Sequence, residues 1–125
     1  MFKKILLVDD SITARMVIKQ HLQIVGCQDS EFIEAKNGKE ALDSLKEHQF
    51  GLIVTDMNMP VMDGNEFLKR LKSSPKYNKI PVIIISSAAN QDNKPRFMSF
   101  GANYVIPKPV SPQLLHEAIK SLSPE

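Results

Sequence analysis

The chain has 125 residues, 42% of them apolar and 24% charged, which suits one globular domain spanning 1–125 and excludes a large disordered tail. Its formal net charge of only +2 gives no ground for nucleic-acid binding: Lys69, Arg70, Lys72, Lys76 and Lys79 cluster, but Tyr77 alone is interleaved as a stacking platform, so a solvated helix face and loop is expected. Cys27 is the single cysteine, which excludes an intramolecular disulfide and points to a reducing compartment, with Cys27 as a small buried hydrophobe.

The N-terminal Met1-Phe2-Lys3-Lys4 resembles the start of a signal peptide, but the apolar run Ile5 to Val8 stops at Asp9-Asp10, too short for a secretory core. No apolar stretch reaches membrane-spanning length. A soluble, cytoplasmic protein without membrane association is the expectation.

Ile5 to Val8 is the first predicted strand, β-branched-rich and without polar alternation, as expected of a strand buried on both faces. Ala14, Ile18, Leu22 and Val25 then recur at helical spacing. A weaker strand, Glu31 to Glu34, precedes Asn37-Gly38 and a helix carrying Ala41, Leu42 and Leu45. Leu52 to Val54 is the third strand. Asp63-Gly64 closes the loop after it and opens a helix with Phe67, Leu68 and Leu71. Val82 to Ile85 is the fourth strand, followed by a helix near Lys94 to Phe100. Tyr104 to Pro107 is the fifth, and Ser111-Pro112 starts a last helix to Leu122 with a cap residue before a first-turn proline. The closing Ser121 to Glu125 fits a natural stop or the start of a linker. Strand and helix alternate five times, the pattern of an α/β fold built by crossover connections.

Ligands of open parallel sheets bind beyond the carboxyl ends of the strands. There the sequence places Asp9 and Asp10 after the first strand, Asp56 after the third, Ser86 and Ser87 after the fourth and Lys108 after the fifth. Three clustered carboxylates repel one another unless a cation lies among them. Mg²⁺ suits such a shallow site because it takes few carboxylates, several waters and a substrate phosphate. A carboxylate can also act as the nucleophile and form an aspartyl phosphate, with the metal and the Lys108 ammonium neutralising the transferring group. Taken singly, each acid or serine reads as a cap or turn residue and Lys108 as a solvated side chain. Their joint placement on one edge favours function. His21, His48 and His116 lack ligand spacing and read as structural. Met57, Met59 and Met62 read as packing for their loop, and Gly26 and Gly38 as turn residues.

The segments Ile5-Leu6-Leu7-Val8-Asp9-Asp10-Ser11, Ala35 to Leu42, Asp56-Met57-Asn58-Met59-Pro60-Val61-Met62-Asp63-Gly64, Ile80 to Ser86 and Gly101 to Pro109 together resemble a receiver domain of the bacterial two-component response regulators, the CheY-like family. The resemblance covers essentially the whole chain. It implies a doubly wound (βα)5 fold with a five-stranded parallel sheet in the order 2-1-3-4-5. It implies that Asp56 accepts phosphoryl from a phosphohistidine of a sensor histidine kinase or histidine phosphotransfer protein, and that the chain is a phospho-acceptor switch rather than an enzyme. By the same resemblance Asp10 is a direct Mg²⁺ ligand, Asp9 its water-mediated partner, Asn58 a ligand through its backbone carbonyl and Asp56 part of the metal site, with Mn²⁺ able to substitute. Ser86 matches the switch hydroxyl, Lys108 the phosphate-contacting amine, and Lys108-Pro109 a cis bond. Asn58 and Ala88 match positions that influence dephosphorylation.

Output is then expected through a protein target at the surface of the fourth helix, fifth strand and last helix, with chemotaxis slightly favoured among pathways because Asp9 to Arg15 resembles stand-alone chemotaxis receivers. The position usually aromatic in this family, three residues before Lys108, is Val105. Tyr104 beside it faces the opposite way by period-two alternation. Two alternatives remain at this point: a phosphorylation-independent adaptor with the receiver fold, hinted at by Val105, and, from a different class, an aspartyl-phosphate hydrolase, for which Asn58 replaces the second acid needed for proton transfer. Flavin binding also fits the fold, but acids in the first loop would repel the flavin phosphate.

Overall fold

The computed structural model describes residues 2–123; Met1, Pro124 and Glu125, on which the readings of the two chain ends partly rest, lie outside them. Five strands, β1 (Lys4–Val8), β2 (Glu31–Ala35), β3 (Leu52–Thr55), β4 (Val82–Ser86) and β5 (Tyr104–Pro107), alternate with α1 (Ile12–Leu22), α2 (Gly38–Glu47), α3 (Gly64–Lys72), α4 (Lys94–Ser99) and α5 (Pro112–Leu122). All pairings are parallel, in the order β2-β1-β3-β4-β5.

Because side chains alternate along a strand, the sheet feeds two cores. Leu6, Val8, Ile53, Val82, Ile84 and Val105 point to the layer holding Ala41, Leu45, Phe67, Leu68, Leu71 and Phe97 of α2 to α4. Ile5, Leu7, Leu52, Val54, Ile83, Ile85 and Ile106 point to Ile18, Leu22, Leu115, Ala118 and Ile119 of α1 and α5. Each such fully buried aliphatic side chain contributes roughly 1.5–3 kcal/mol relative to leaving it in water.

The helix starts follow from local chemistry. Side-chain oxygens of Ser11, Asn37, Asp63 and Ser111 accept the backbone N–H of Ala14, Glu40, Glu66 and Leu114, each three residues on, satisfying donors that a helix N-terminus leaves open. Gly38 is the first residue of α2, not a turn residue. Its role is close approach, since a Cβ there would come within 2.9 Å of Met62 Cγ and Phe67 Cβ. The helical spacing that runs to Val25 overshoots: α1 ends at Leu22, and a π-helical stretch, Gln23–Cys27, follows because Gly26 adopts φ 123°, which breaks the α register. Cys27 is fully buried, and burial pushes its thiol pKa up, more than the Ser30 hydrogen bond pulls it down. Among the described residues no helix is long and apolar enough to cross a membrane.

Candidate functional site

The carboxyl edge of the sheet collects the acids. Asp9 and Asp10 leave β1, and Asp56 leaves β3, which pairs with β1 so that Val8 lies beside Thr55. In-register pairing therefore brings the two loops together, and one carboxylate oxygen from each of Asp9, Asp10 and Asp56 lies within 4.8 Å of the others. Asp9 is 1% exposed and Asp56 7%, whereas Asp10 is exposed to solvent.

Asp9 is fixed at both ends: Oδ1 accepts the Ser11 N–H at 2.9 Å, and Oδ2 lies 2.8 Å from Lys108 Nζ. Asp56 Oδ1 accepts the Met57 N–H at 2.6 Å and faces the Asn58 N–H at 3.5 Å, and Oδ2 accepts from Lys108 Nζ at 3.0 Å. Lys108 is thus no solvated surface amine. Burial alone would lower its pKa, but the hydrogen bonds and charges of Asp9 and Asp56 outweigh it and hold the ammonium above the ordinary lysine value. Two buried carboxylates share one half-buried cation, and the exposed Asp10 adds a third acid beside them, so the cluster keeps a net negative charge. Hard oxygen donors in that excess fit a hard divalent cation such as Mg²⁺.

Backbone geometry holds this arrangement. Lys108 N–H donates to the Ser86 carbonyl at 3.1 Å, tying the end of β5 to that of β4, and the Lys108-Pro109 bond is cis, as the resemblance implies. Gly64 opens α3 against the Asp56 strand end; its N–H donates to the Met57 carbonyl at 2.9 Å, and a Cβ would sit 2.6 Å from the Asp56 carbonyl oxygen. In the loop between them Val61 takes φ 68°, unusual for a β-branched residue, with Met62 N–H donating to Pro60 O at 2.7 Å. Met57 is buried, and Met59 and Met62 pack on the α2 to α4 core, as read from the sequence.

Ser86 is fully buried, and its hydroxyl accepts the Ala88 N–H at 3.1 Å. The hydroxyl therefore caps a local turn rather than α4, whose start at Lys94 has no side-chain cap. Ser87 and Asn58 are exposed. Val105 and Tyr104 belong to opposite cores. Beside Val105 a cavity of about 440 Å³ opens between α4, β5 and α5, bordered by Ala89, Lys94, Leu114 and Glu117.

Arg15 was not singled out by sequence reasoning. One turn into α1, its guanidinium donates to the Asp9 carbonyl and pairs with Glu34 Oε1 at 2.8 Å, so it braces the backbone that carries both acids. Its only sequence signal is its place four residues after the Ser11 cap. Two of the histidines are engaged away from the acids: His21 bonds the Val17 carbonyl within α1, and His48 meets Lys4 at the start of β1.

Residues 5–120 match the response regulator receiver domain family. The chain belongs to that family. It is 36% identical over 120 residues to the chemotaxis protein CheY homolog of Campylobacter jejuni, covering 95% of this chain and 91% of that protein. It is 35% identical over 118 residues to chemotaxis protein CheY1 of Helicobacter pylori, covering 94% of each. Among solved structures it resembles the chemotaxis response regulator CheY4 of Vibrio cholerae, with a TM-score of 0.82 and 31% identity over 98% of this chain and 99% of that one. As a receiver domain the chain is a phospho-acceptor switch, and its acidic cluster is consistent with the Mg²⁺ site of its family.

Proposed function

We propose that this receiver is a single switch domain in which Asp56 takes phosphoryl from a phosphohistidine of a sensor histidine kinase or phosphotransfer protein and passes the state to a protein target on the α4-β5-α5 surface. The observation that carries this is the sharing of one Lys108 ammonium by the buried Asp9 and Asp56 carboxylates.

In the transfer, an Asp56 carboxylate oxygen bonds to phosphorus while the phosphorus–nitrogen bond of the donor breaks, and the electron pair stays on the leaving imidazole. Asp9, Asp10, Asp56 and the Asn58 backbone carbonyl would hold Mg²⁺, which when bound neutralises charge on the phosphoryl oxygens. Lys108 already stands at Asp56 Oδ2 and supplies the second neutralising charge without reorganisation. The Met57 N–H on Oδ1 orients the nucleophile. Ser86 exchanges its bond to the Ala88 N–H for one to the phosphoryl group, which moves the turn leading to α4 and biases two pre-existing conformations. Attack by water on phosphorus then releases inorganic phosphate and restores Asp56. Val105 leaves the α4-β5-α5 cavity open where other receivers place an aromatic ring, so the output here runs through that cavity and the α4 turn rather than through ring rotation.

Addition of fluoroberyllate, a stable phosphoryl mimic, with Mg²⁺ tests the reading. Amide resonances of Ser86, Ala88, Val105 and Lys108 are expected to shift together. Binding confined to Asp56 with no change along α4-β5-α5 would favour the phosphorylation-independent adaptor. Sustained turnover of a phosphate ester would favour the hydrolase.

A further inference from the structure

One large cavity lies on a face that the phosphorylation chemistry does not use. Between α2 and α3 it measures about 660 Å³, with Leu42, Met62 and Tyr77 among its apolar lining and Lys39, Asp43, Lys46 and Arg70 at its rim. A second cavity of about 460 Å³ shares Lys46 and Tyr77 with it and continues past Phe50 and Lys76. The two form one trough along α2, whose ten residues span roughly 15 Å. None of these residues borders the α4-β5-α5 cavity.

Cations outnumber acids on this face: Lys39, Lys46, Arg70 and Lys76 line the two cavities against Asp43 and Glu47. Residues 64–80 carry five cations against one acid, Glu66, in a chain whose formal net charge is only +2. Lys39, Lys69 and Lys76 enter no ion pair among the described residues. Lys46 pairs only with the exposed Asp43 at 4.0 Å, and Arg70 with the exposed Glu66 at 2.8 Å. Exposed pairs of this kind contribute little, so exchanging them for carboxylates of a partner is nearly free. A trough with an apolar floor and a cationic rim, lying between two helices, is complementary to a third helix that is apolar on one stripe and acidic on its flanks.

We infer that the α2-α3 trough is a second docking site, which takes an acidic amphipathic helix of a partner protein. Leu42, Met62 and Tyr77 accept its apolar side chains, and Lys39, Lys46 and Lys76 face its carboxylates. An apolar floor distinguishes this occupant from nucleic acid, which would need stacking surfaces and phosphate-spaced cations without it. The inference is independent of phosphorylation at Asp56.

The test is a titration of the isotope-labelled full chain with a synthetic helix of about 15 residues, carrying Leu at i, i+3, i+4 and i+7 and Glu on both flanks. Saturable shifts at Leu42, Met62 and Tyr77 are expected, with affinity lowered about tenfold in Lys39→Glu/Lys46→Glu and falling as salt is raised. Both lysines are exposed, and Lys39→Gln/Lys46→Gln, which removes charge without reversing it, is expected to give a smaller loss in the same direction. A scrambled peptide of equal composition is expected to bind about tenfold more weakly. The inference is overturned by absence of shifts on α2-α3, by equal binding of the scrambled peptide, or by tighter binding of duplex DNA or anionic vesicles to the same lysines.

Discussion

Lys108 Nζ lies 3.0 Å from Asp56 Oδ2 although 52 residues separate the two in sequence, and the same ammonium lies 2.8 Å from Asp9 Oδ2. It is the counter-ion that allows two buried carboxylates to face each other. Lys108→Met leaves both acids without it. In chelator-containing buffer at neutral pH the variant is expected to lose about 2 kcal/mol of stability in urea melts, below the roughly 3–5 kcal/mol for breaking a fully buried ion pair because Lys108 keeps some solvent contact. Stability equal to the parent would show that water or relaxation replaces the ammonium.

The excess negative charge also predicts how a metal acts. Mg²⁺ at about 100 times its dissociation constant should stabilise the folded chain by about 2.7 kcal/mol, since it binds the assembled cluster and not the unfolded chain. Asp10→Asn removes one repelling charge, so it should melt at a higher temperature than the parent without metal and gain little when Mg²⁺ is added. Calorimetry of both proteins with and without the ion checks this, and an equal Mg²⁺ gain in Asp10→Asn would remove Asp10 from the site.

Cys27 gives a pH prediction. Its folded pKa lies above the ordinary value of 9.0, so the unfolded thiol ionises first as pH rises. The stability this group contributes is complete below that ordinary value and is lost as pH climbs from it towards the folded value. In that interval the parent should lose up to about 1.4 kcal/mol per pH unit more than Cys27→Ala. Denaturant melts from neutral to alkaline pH measure the difference, and parallel profiles would contradict a buried, neutral thiol.

Gly64 tests the packing behind Asp56. Its Cβ would fall 2.6 Å from the Asp56 carbonyl oxygen and 2.7 Å from Met57 Cα, contacts with backbone that cannot swing aside. Gly64→Ala should cost about 2 kcal/mol and slow phosphorylation by displacing the Asp56 carboxylate. An unchanged melting curve and rate would show that α3 can shift without moving the acid.

Much of this was legible beforehand because the signals were local. β-branched runs such as Val82 to Ile85 can be buried on both faces only in a sandwich of helices, and the residues that follow such runs fall on one edge by topology. Asn37, Asp63 and Ser111 announced helix starts by their own side-chain chemistry, whereas the Ser11 cap of α1 emerged only in the structure. What the sequence did not disclose depends on approach between distant segments. Gly38 reads as a turn residue until Met62 and Phe67 are seen pressing on it. The α1 pattern runs through Val25 because apolar spacing does not register the left-handed Gly26 that ends it. Arg15 has no motif of its own, since its partners are a backbone carbonyl and Glu34 on a neighbouring strand.

The most direct measurement is the intact mass of the purified chain incubated with Mg²⁺ and a small acyl phosphate, beside Asp56→Asn and a chelated control. The account predicts one added phosphoryl group that requires both Asp56 and the metal and decays with time. An adduct of equal yield in Asp56→Asn, or none in the folded parent, would contradict it.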